Sequence, residues 1–418
     1  MNFENVFLLL PGHRIVRGTL TISNGRISAI EEREAENLPR PTRLVMPGLI
    51  NAHGHTPMTL VRGVGSGLPL QRWLEEAIFP IEAKMKPEDI AAGMAWGCLE
   101  MWASGTTCVA DMYDFPDAGA AVLSRLGMRA NLCRVGLAFS EKEEVPPNRL
   151  AECVAFAEKN DPTDLIRHDI CVHSEYLTNE KFCRALAEAN QTLKRPVHVH
   201  VSETEREHKE CLARHGQTPI AYLASTGLFD HGGYAAHCVY CTDDDFRIMR
   251  EHNVSLVHNP TSNMKLGSGF ARIPAALSSG VNIALGTDGC ASNDNLNMFE
   301  EIHLASLIHK GVTRDPTALA AWDIIDMATT HGAHALGRTD IGELKVGNHA
   351  DLCVLNLDAP HLTPCFDLAN LIVHSLQASD VEETYIDGRP VYSRGTFPTV
   401  DKESLYHDFT ASLSRLGL

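Results

Sequence analysis

Apolar positions along this chain follow two different patterns. The first 47 residues carry short runs of β type, Phe7–Leu10, Gly18–Ile22 and Arg26–Ile30, with Asn24-Gly25 between the last two as a hairpin signal. From about residue 48 to 340, apolar strands alternate with helical repeats. The strands end near His53, Asp111, Cys133-Arg134, His173, His200, His237, His258 and Asp288. Eight strands with intervening helices predict an α/β fold, a (β/α)8 TIM barrel. The span from His53 to Asp288 approaches the ~250 residues usual for that barrel. Beyond about residue 342 the β pattern returns in Gly347–Leu355 and Val381–Tyr385, with Asp387-Gly388 as a turn. Each end is too small to bury a core of its own. The two are expected to combine into one small β-sandwich. The predicted division is therefore 1–47 plus 345–400 for the sandwich, 48–344 for the barrel and 401–418 for a C-terminal helix.

Composition narrows the partners. The 418 residues carry a net charge of −17. Phosphate backbones and anionic lipids want a basic face, so neither nucleic acid nor a membrane is expected as a partner. A small molecule held in a locally basic pocket stays compatible, as does self-association into a homo-oligomer. No apolar run approaches the length of a membrane span. Val6–Leu10 is short, lacks a basic leader and ends at Pro11-Gly12, so it reads as a strand and not a signal peptide. The twelve cysteines are scattered and expected to be reduced, which points to the cytoplasm. Cys238-x-x-Cys241 has no second pair at zinc-ribbon spacing and reads as strand-end packing. The loop Ser140–Asn148, rich in Glu and Pro, is expected to be mobile.

In a (β/α)8 barrel, chemistry sits at the C-terminal ends of the strands. His53 and His55, spaced i, i+2, point to one face of a strand. His200, His237 and Asp288 end three later strands. One such histidine is usually a structural residue, but five metal-type groups at one barrel face point to a metal site. Three neutral imidazoles and one carboxylate suit Zn²⁺, with Fe²⁺ as the alternative, because imidazole and carboxylate serve both. Glu203, three residues past His200, is placed to move protons between water and a substrate nitrogen. Taken alone it reads equally well as a first-turn glutamate of the helix Thr204–Arg214, favoured there by the helix dipole.

The motifs resemble the amidohydrolase superfamily, in its mononuclear aminohydrolase branch. The resemblance is carried by Pro47-Gly-Leu-Ile-Asn-Ala-His-Gly-His-Thr-Pro-Met, Leu68-Pro-Leu-Gln-Arg-Trp73-Leu, Ile78-Phe-Pro-Ile-Glu82, Ser104-Gly-Thr-Thr, Asp111-Met-Tyr, His258-Asn-Pro-Thr-Ser-Asn-Met-Lys-Leu-Gly-Ser-Gly and Leu285-Gly-Thr-Asp-Gly-Cys-Ala-Ser-Asn. It extends over essentially the whole chain and is most similar to the S-adenosylhomocysteine/5′-methylthioadenosine deaminase group. Guanine and pterin deaminases and triazine chlorohydrolases are related alternatives; a non-enzymatic ligand-binding barrel would not need Glu203. The resemblance implies hydrolytic deamination, with His53, His55, His200 and Asp288 as ligands of one divalent metal. Dinuclear relatives use a strand-borne lysine, and Asp169–His173 carries none. His237 would hydrogen-bond the attacking water, Asp288 would accept its proton, and Glu203 would protonate the ring nitrogen.

For the substrate, the resemblance implies that Glu82 takes the ribose hydroxyls, Trp73 walls the thioether arm and His173 meets the purine. It further implies that Arg134 on the third barrel strand and Arg149 at the end of the loop bind an amino-acid carboxylate, and that Ser292 lines the pocket. Three departures stand out. The common His-Ala-Pro-Tyr-Thr reads His173-Ser-Glu-Tyr-Leu, the usual Asn-Asn is Asn293-Asp294, and Val64-Gly-Ser-Gly67 lacks an acidic pair. They are expected to touch pocket loops and leave the metal set intact.

Overall fold

Asn24 and Gly25 both take positive φ, 51° and 77°. That is the type I′ geometry whose twist suits a two-residue hairpin, and it joins β2 (Arg14–Ser23) to β3 (Arg26–Glu32). The computed structural model describes residues 1–33, 40–138 and 145–418. Most of the Ser140–Asn148 loop therefore lies outside the described residues. β1 (Asn2–Leu10) and β4 (Arg43–Pro47) complete the N-terminal contribution. The chain returns at its far end with β14 (Leu352–Asn356), β15 (Val381–Ile386) and β16 (Arg389–Ser393). These seven strands form one sheet in the order β16-β15-β14-β4-β1-β2-β3. The sheet folds over on itself to enclose one apolar core that includes Leu8, Leu20, Ile27, Val45, Leu352 and Val354. Phe3 on β1 meets Tyr385 on β15 edge to face at 5.4 Å, although two strands separate them in the sheet.

Between the two contributions lie the barrel strands, all paired in parallel. They are β5 (Leu49–His55), β6 (Thr106–Tyr113), β7 (Arg129–Arg134), β8 (Ile166–Ser174), β9 (Val197–Val201), β10 (Gly233–His237), β11 (Val254–His258) and a divided last strand, β12 (Ile283–Leu285) with β13 (Asp288–Gly289). β12 pairs with β11 and β13 pairs with β5, so the sheet closes into the expected barrel. The division was not expected from the sequence, and Gly286 explains it. A Cβ there would fall 2.6 Å from Asn259 Oδ1 and 2.9 Å from His53 N, because this backbone runs directly against β5. The ladder missing at the break is replaced by a side chain. Asn51 Nδ2 donates to Thr287 Oγ1 at 2.7 Å, and Thr287 N donates to Asn51 Oδ1 at 3.0 Å. Small residues such as Ala52, Ala110 and Ala284 pack with Ile50, Tyr234 and Val257 to fill the interior.

The C-terminal helix Lys402–Leu416 packs on the helix Pro87–Ala103, where Phe409 stacks on Trp96 and Arg415 pairs with Asp89. The sequence did not anticipate the helix Leu368–His374, inserted between β14 and β15. Cys238 and Cys241 are buried free thiols, in keeping with their reading as packing residues. No helix among the described residues is long and apolar enough to cross a membrane.

The two sheets are tied together by a buried charge. Arg129, at the start of β7, is fully enclosed; its Nε donates to Asp351 Oδ2 at 2.6 Å and its Nη2 to Asp387 Oδ1 at 2.8 Å. Replacing Asp351 with Ala leaves Nε of this enclosed guanidinium without its carboxylate, although Asp387 still holds Nη2. Removing one partner of a buried pair typically costs about 3–5 kcal/mol. Urea denaturation of the Asp351→Ala protein is expected to show a loss of that size; a loss below about 1 kcal/mol would refute the anchor.

Candidate active site

His53 and His55 sit two residues apart near the end of β5, so the pleat turns both rings to one face. His200 on β9, His237 closing β10 and Asp288 opening β13 meet them there. Asp288 Oδ1 lies 3.2 Å from both His53 Nε2 and His55 Nε2, and His55 Nε2 lies 3.1 Å from His200 Nε2. Nitrogen or oxygen atoms of His53, His200, His237 and Asp288 fall within 4.8 Å of one another. His237 thus stands inside this gathering, closer to the ligand atoms than the sequence required. His237 and Asp288 hold positive φ, 70° and 62°. A residue with a side chain at such angles stores strain of about 1–3 kcal/mol, which the surrounding fold has to hold in place.

Each ring is oriented from behind. His55 Nδ1 donates to the Met112 carbonyl at 2.6 Å, and His200 Nδ1 to the His173 carbonyl at 2.7 Å. His237 Nδ1 lies 2.8 Å from Asn263 Oδ1, and His53 Nδ1 lies 2.7 Å from His198 Nε2. Partners on the rear nitrogen leave Nε2 facing the centre, the arrangement that prepares imidazole for a metal. Asp288 Oδ2 accepts from Ser262 Oγ at 2.7 Å and Ser292 Oγ at 2.8 Å, which leaves Oδ1 to the histidines. The sequence reading missed His198, Asn263 and Ser262. His198 carried a signal, since it repeats with His200 the i, i+2 spacing of His53 and His55. Asn263 and Ser262 lie within the motif that starts at His258, but their contacts could not be read there, because a helix start brings them in from a distant segment.

The donor set fits a divalent cation. His53 Nε2 is buried and, despite the nearby Asp288, has no hydrogen-bond partner. Burial lowers the pKa of His53 to about 4 and takes His200 well below the ordinary imidazole value, so both present lone pairs at neutral pH. Burial also opposes charge on His55, but Asp288 and the Met112 carbonyl outweigh it and raise that ring to about 9. At Asp288 burial is likewise outweighed, by the two imidazoles, and the carboxylate stays ionised well below its usual range. A cation binding here competes with the proton on His55.

Glu203 is buried just past β9, with Oε2 4.0 Å from His237 Nε2. It is not in the following helix, which runs Glu205–His215 with Thr204 as its cap. Burial raises its carboxyl pKa, so it holds a proton more readily than an exposed glutamate. The buried Glu207 fixes its backbone, accepting from Ser202 N and Glu203 N at 2.8 Å each.

A cavity of about 420 Å³ opens from this centre. Its apolar walls include Met58, Leu70, Phe79 and Leu137; Trp73, Glu82, His173 and Arg149 also face it. Trp73 packs in the surrounding apolar cluster as well, its Nε1 donating to the Val64 carbonyl at 3.0 Å. Glu82 is half-buried and accepts from Tyr113 Oη at 2.5 Å; burial raises its carboxyl pKa. Three expected positions differ. Ser292 does not line the cavity but supports Asp288, because the short helix Cys290–Asn293 turns it back onto that carboxylate. Arg134 also stays out of the cavity wall, drawn aside by Asp114 and Glu152, and Arg149 belongs to the helix Pro147–Ala157 and not to a loop.

Of the sequence departures, Glu175 and Asp294 turn away from the substrate space, whereas Leu177 lines the cavity. Glu175 is buried and grips Arg214 with both oxygens, at 2.8 and 2.7 Å, anchoring the helix that follows Glu203. Asp294 pairs with Lys265 Nζ at 2.7 Å.

The amidohydrolase family profile matches residues 44–391, and the chain belongs to that family. It is 44% identical over 366 residues to a 5-methylthioadenosine/S-adenosylhomocysteine deaminase of Acetivibrio thermocellus, covering 87% of this chain and 84% of the relative. It is 40% identical over 405 residues to a 5′-deoxyadenosine deaminase of Methanosarcina acetivorans, covering 96% and 93%. The fold superposes on the crystal structure of an adenosine deaminase from Xanthomonas campestris with bound zinc, with a TM-score of 0.92, 33% identity and coverage of 100% and 98%.

Replacing Asp288 with Ala removes the one carboxylate among the gathered nitrogens. The variant is expected to lose its divalent cation, measured by elemental analysis after dialysis, and its turnover. Full metal content with full activity would overturn the assignment.

Proposed function

We propose that this chain is a metal-dependent hydrolytic deaminase of adenosine derivatives, releasing ammonia and the corresponding inosine derivative. The observation that carries the reading is the buried Glu203 carboxyl beside the imidazole–carboxylate cluster, at one end of a cavity whose wall also carries Glu82. The names of the relatives at 44% and 40% identity support the substrate class.

His53, His55, His200 and Asp288 would hold the cation. Zn²⁺ suits this set best, and the Xanthomonas enzyme binds zinc; Fe²⁺ is the alternative. When bound, the cation supplies Lewis-acid activation that brings water into use near neutral pH. The remaining work belongs to the side chains. His237 hydrogen-bonds the attacking water, and Asp288 accepts its proton. Glu203 delivers a proton to the ring nitrogen next to the amino-bearing carbon, so that attack does not build charge on the purine. Asp288 passes its proton to the amino group, and as the tetrahedral carbon collapses to the carbonyl the hydroxyl proton returns to Glu203 and ammonia leaves. Glu82 offers carboxylate oxygens to the ribose hydroxyls, His173 meets the base and Trp73 walls the 5′ arm. Twelve reduced cysteines, eleven of them buried, fit work in the cytoplasm.

Glu203→Gln keeps the shape and removes the transferable proton. It is expected to retain metal and lose ~10²–10⁴-fold in kcat. Wild-type turnover would return Glu203 to a structural role. Ammonia release should be assayed across adenosine, 5′-methylthioadenosine, S-adenosylhomocysteine, guanine, a pterin and a chlorotriazine. Activity confined to the last three would replace the adenosine reading by another hydrolase of the same family.

A further inference from the structure

We propose that Asp114 sets substrate choice at the outer end of the cavity, favouring an uncharged 5′ arm over one that carries a carboxylate. The inference rests on the deaminase reading and concerns the two arginines that reading would assign to an amino-acid carboxylate. Both are already engaged. Asp114 Oδ1 accepts from Arg134 Nη1 and from Arg149 Nη1, the latter at 3.0 Å. Arg134 also donates to Glu152 Oε2 from Nη2 at 2.8 Å and from Nε at 3.0 Å. Its side chain is only 13% exposed, and it does not reach the cavity wall.

Two guanidinium charges thus face two carboxylates, and the cluster is neutral without a substrate. What it shows to the cavity is Asp114, whose side chain is 45% exposed, and Arg149 held against it, beside the apolar Phe115, Val135 and Leu137. An incoming carboxylate would meet Arg149 only beside Asp114, which already holds its Nη1, and would share the site with that like charge. Like charges at close range in a partly enclosed site repel strongly. A neutral thioether or deoxy arm leaves the network intact and gains apolar contact. Asp114 directly follows β6, whose course is fixed by the barrel, so this carboxylate is held at the site by the scaffold.

The test compares kcat/KM for 5′-methylthioadenosine and S-adenosylhomocysteine in the full-length enzyme, its Asp114→Asn variant and its Glu152→Gln variant. The wild type is expected to favour 5′-methylthioadenosine by at least about tenfold, the usual weight of one charge-assisted hydrogen bond. Asp114→Asn is expected to raise the ratio of S-adenosylhomocysteine to 5′-methylthioadenosine by a similar factor, and Glu152→Gln by much less. A wild type that prefers S-adenosylhomocysteine overturns the proposal without any variant. So does an Asp114→Asn ratio that stays level or falls; a fall would make Asp114 a partner of the amino acid's ammonium. An equal rise in Glu152→Gln would reduce the effect to bulk charge. No ammonia from either nucleoside would instead remove the deaminase reading itself.

Discussion

The last barrel strand breaks at Gly286-Thr287, and the active centre depends on that break. A continuous strand would carry its ladder past β5 and keep extended angles at the next residue. Here Gly286 presses against the His53 backbone, Asn51 bridges the gap with its amide, and the chain re-enters at Asp288 with φ of 62°. That turn delivers a carboxylate to two imidazoles from the first strand, 3.2 Å from each. Barrel closure and assembly of the centre are therefore one structural event. A change that restored a regular strand there would close the barrel better and dismantle the centre.

Burial then decides what the gathered groups can do. Four imidazoles and two carboxyls in a dry site cannot all be charged, because desolvation opposes each ion. The balance leaves Asp288 ionised, His53 and His200 neutral, and Glu203 with an elevated pKa. Two carboxyls beside the same imidazole cluster thus take opposite tendencies, one as an anion and one as a proton holder. Such a separation marks acid–base chemistry. The opposite end of the barrel carries stability instead, with Arg129 locked between Asp351 and Asp387 far from the cavity mouth.

Much of this was legible in the chain. The eight strand ends, the folded sheet built from both termini, and the convergence of His53, His55, His200, His237 and Asp288 all followed from period and spacing. A strand's pleat and a barrel's polarity leave few other arrangements. Residues read through resemblance fared unevenly. Glu82, Trp73 and His173 face the cavity, whereas Ser292 turned out to brace Asp288 and Arg134 was drawn off by neighbouring acids. Glu175 and Asp294, which looked like changes to the pocket, satisfy basic residues on nearby helices.

The sequence by itself determined the class of fold and the chemistry available, because both depend on local periodicity and on residue type at strand ends. Only the tertiary structure decided which nitrogen of each histidine faces inward, that Glu203 is buried ahead of its helix, and that Asp114 stands between two arginines. Those outcomes turn on groups distant in the chain, such as Asn263 behind His237 and His198 behind His53. A hydrogen bond acts over about 3 Å, and no pattern along one segment specifies which distant partner will come within that distance.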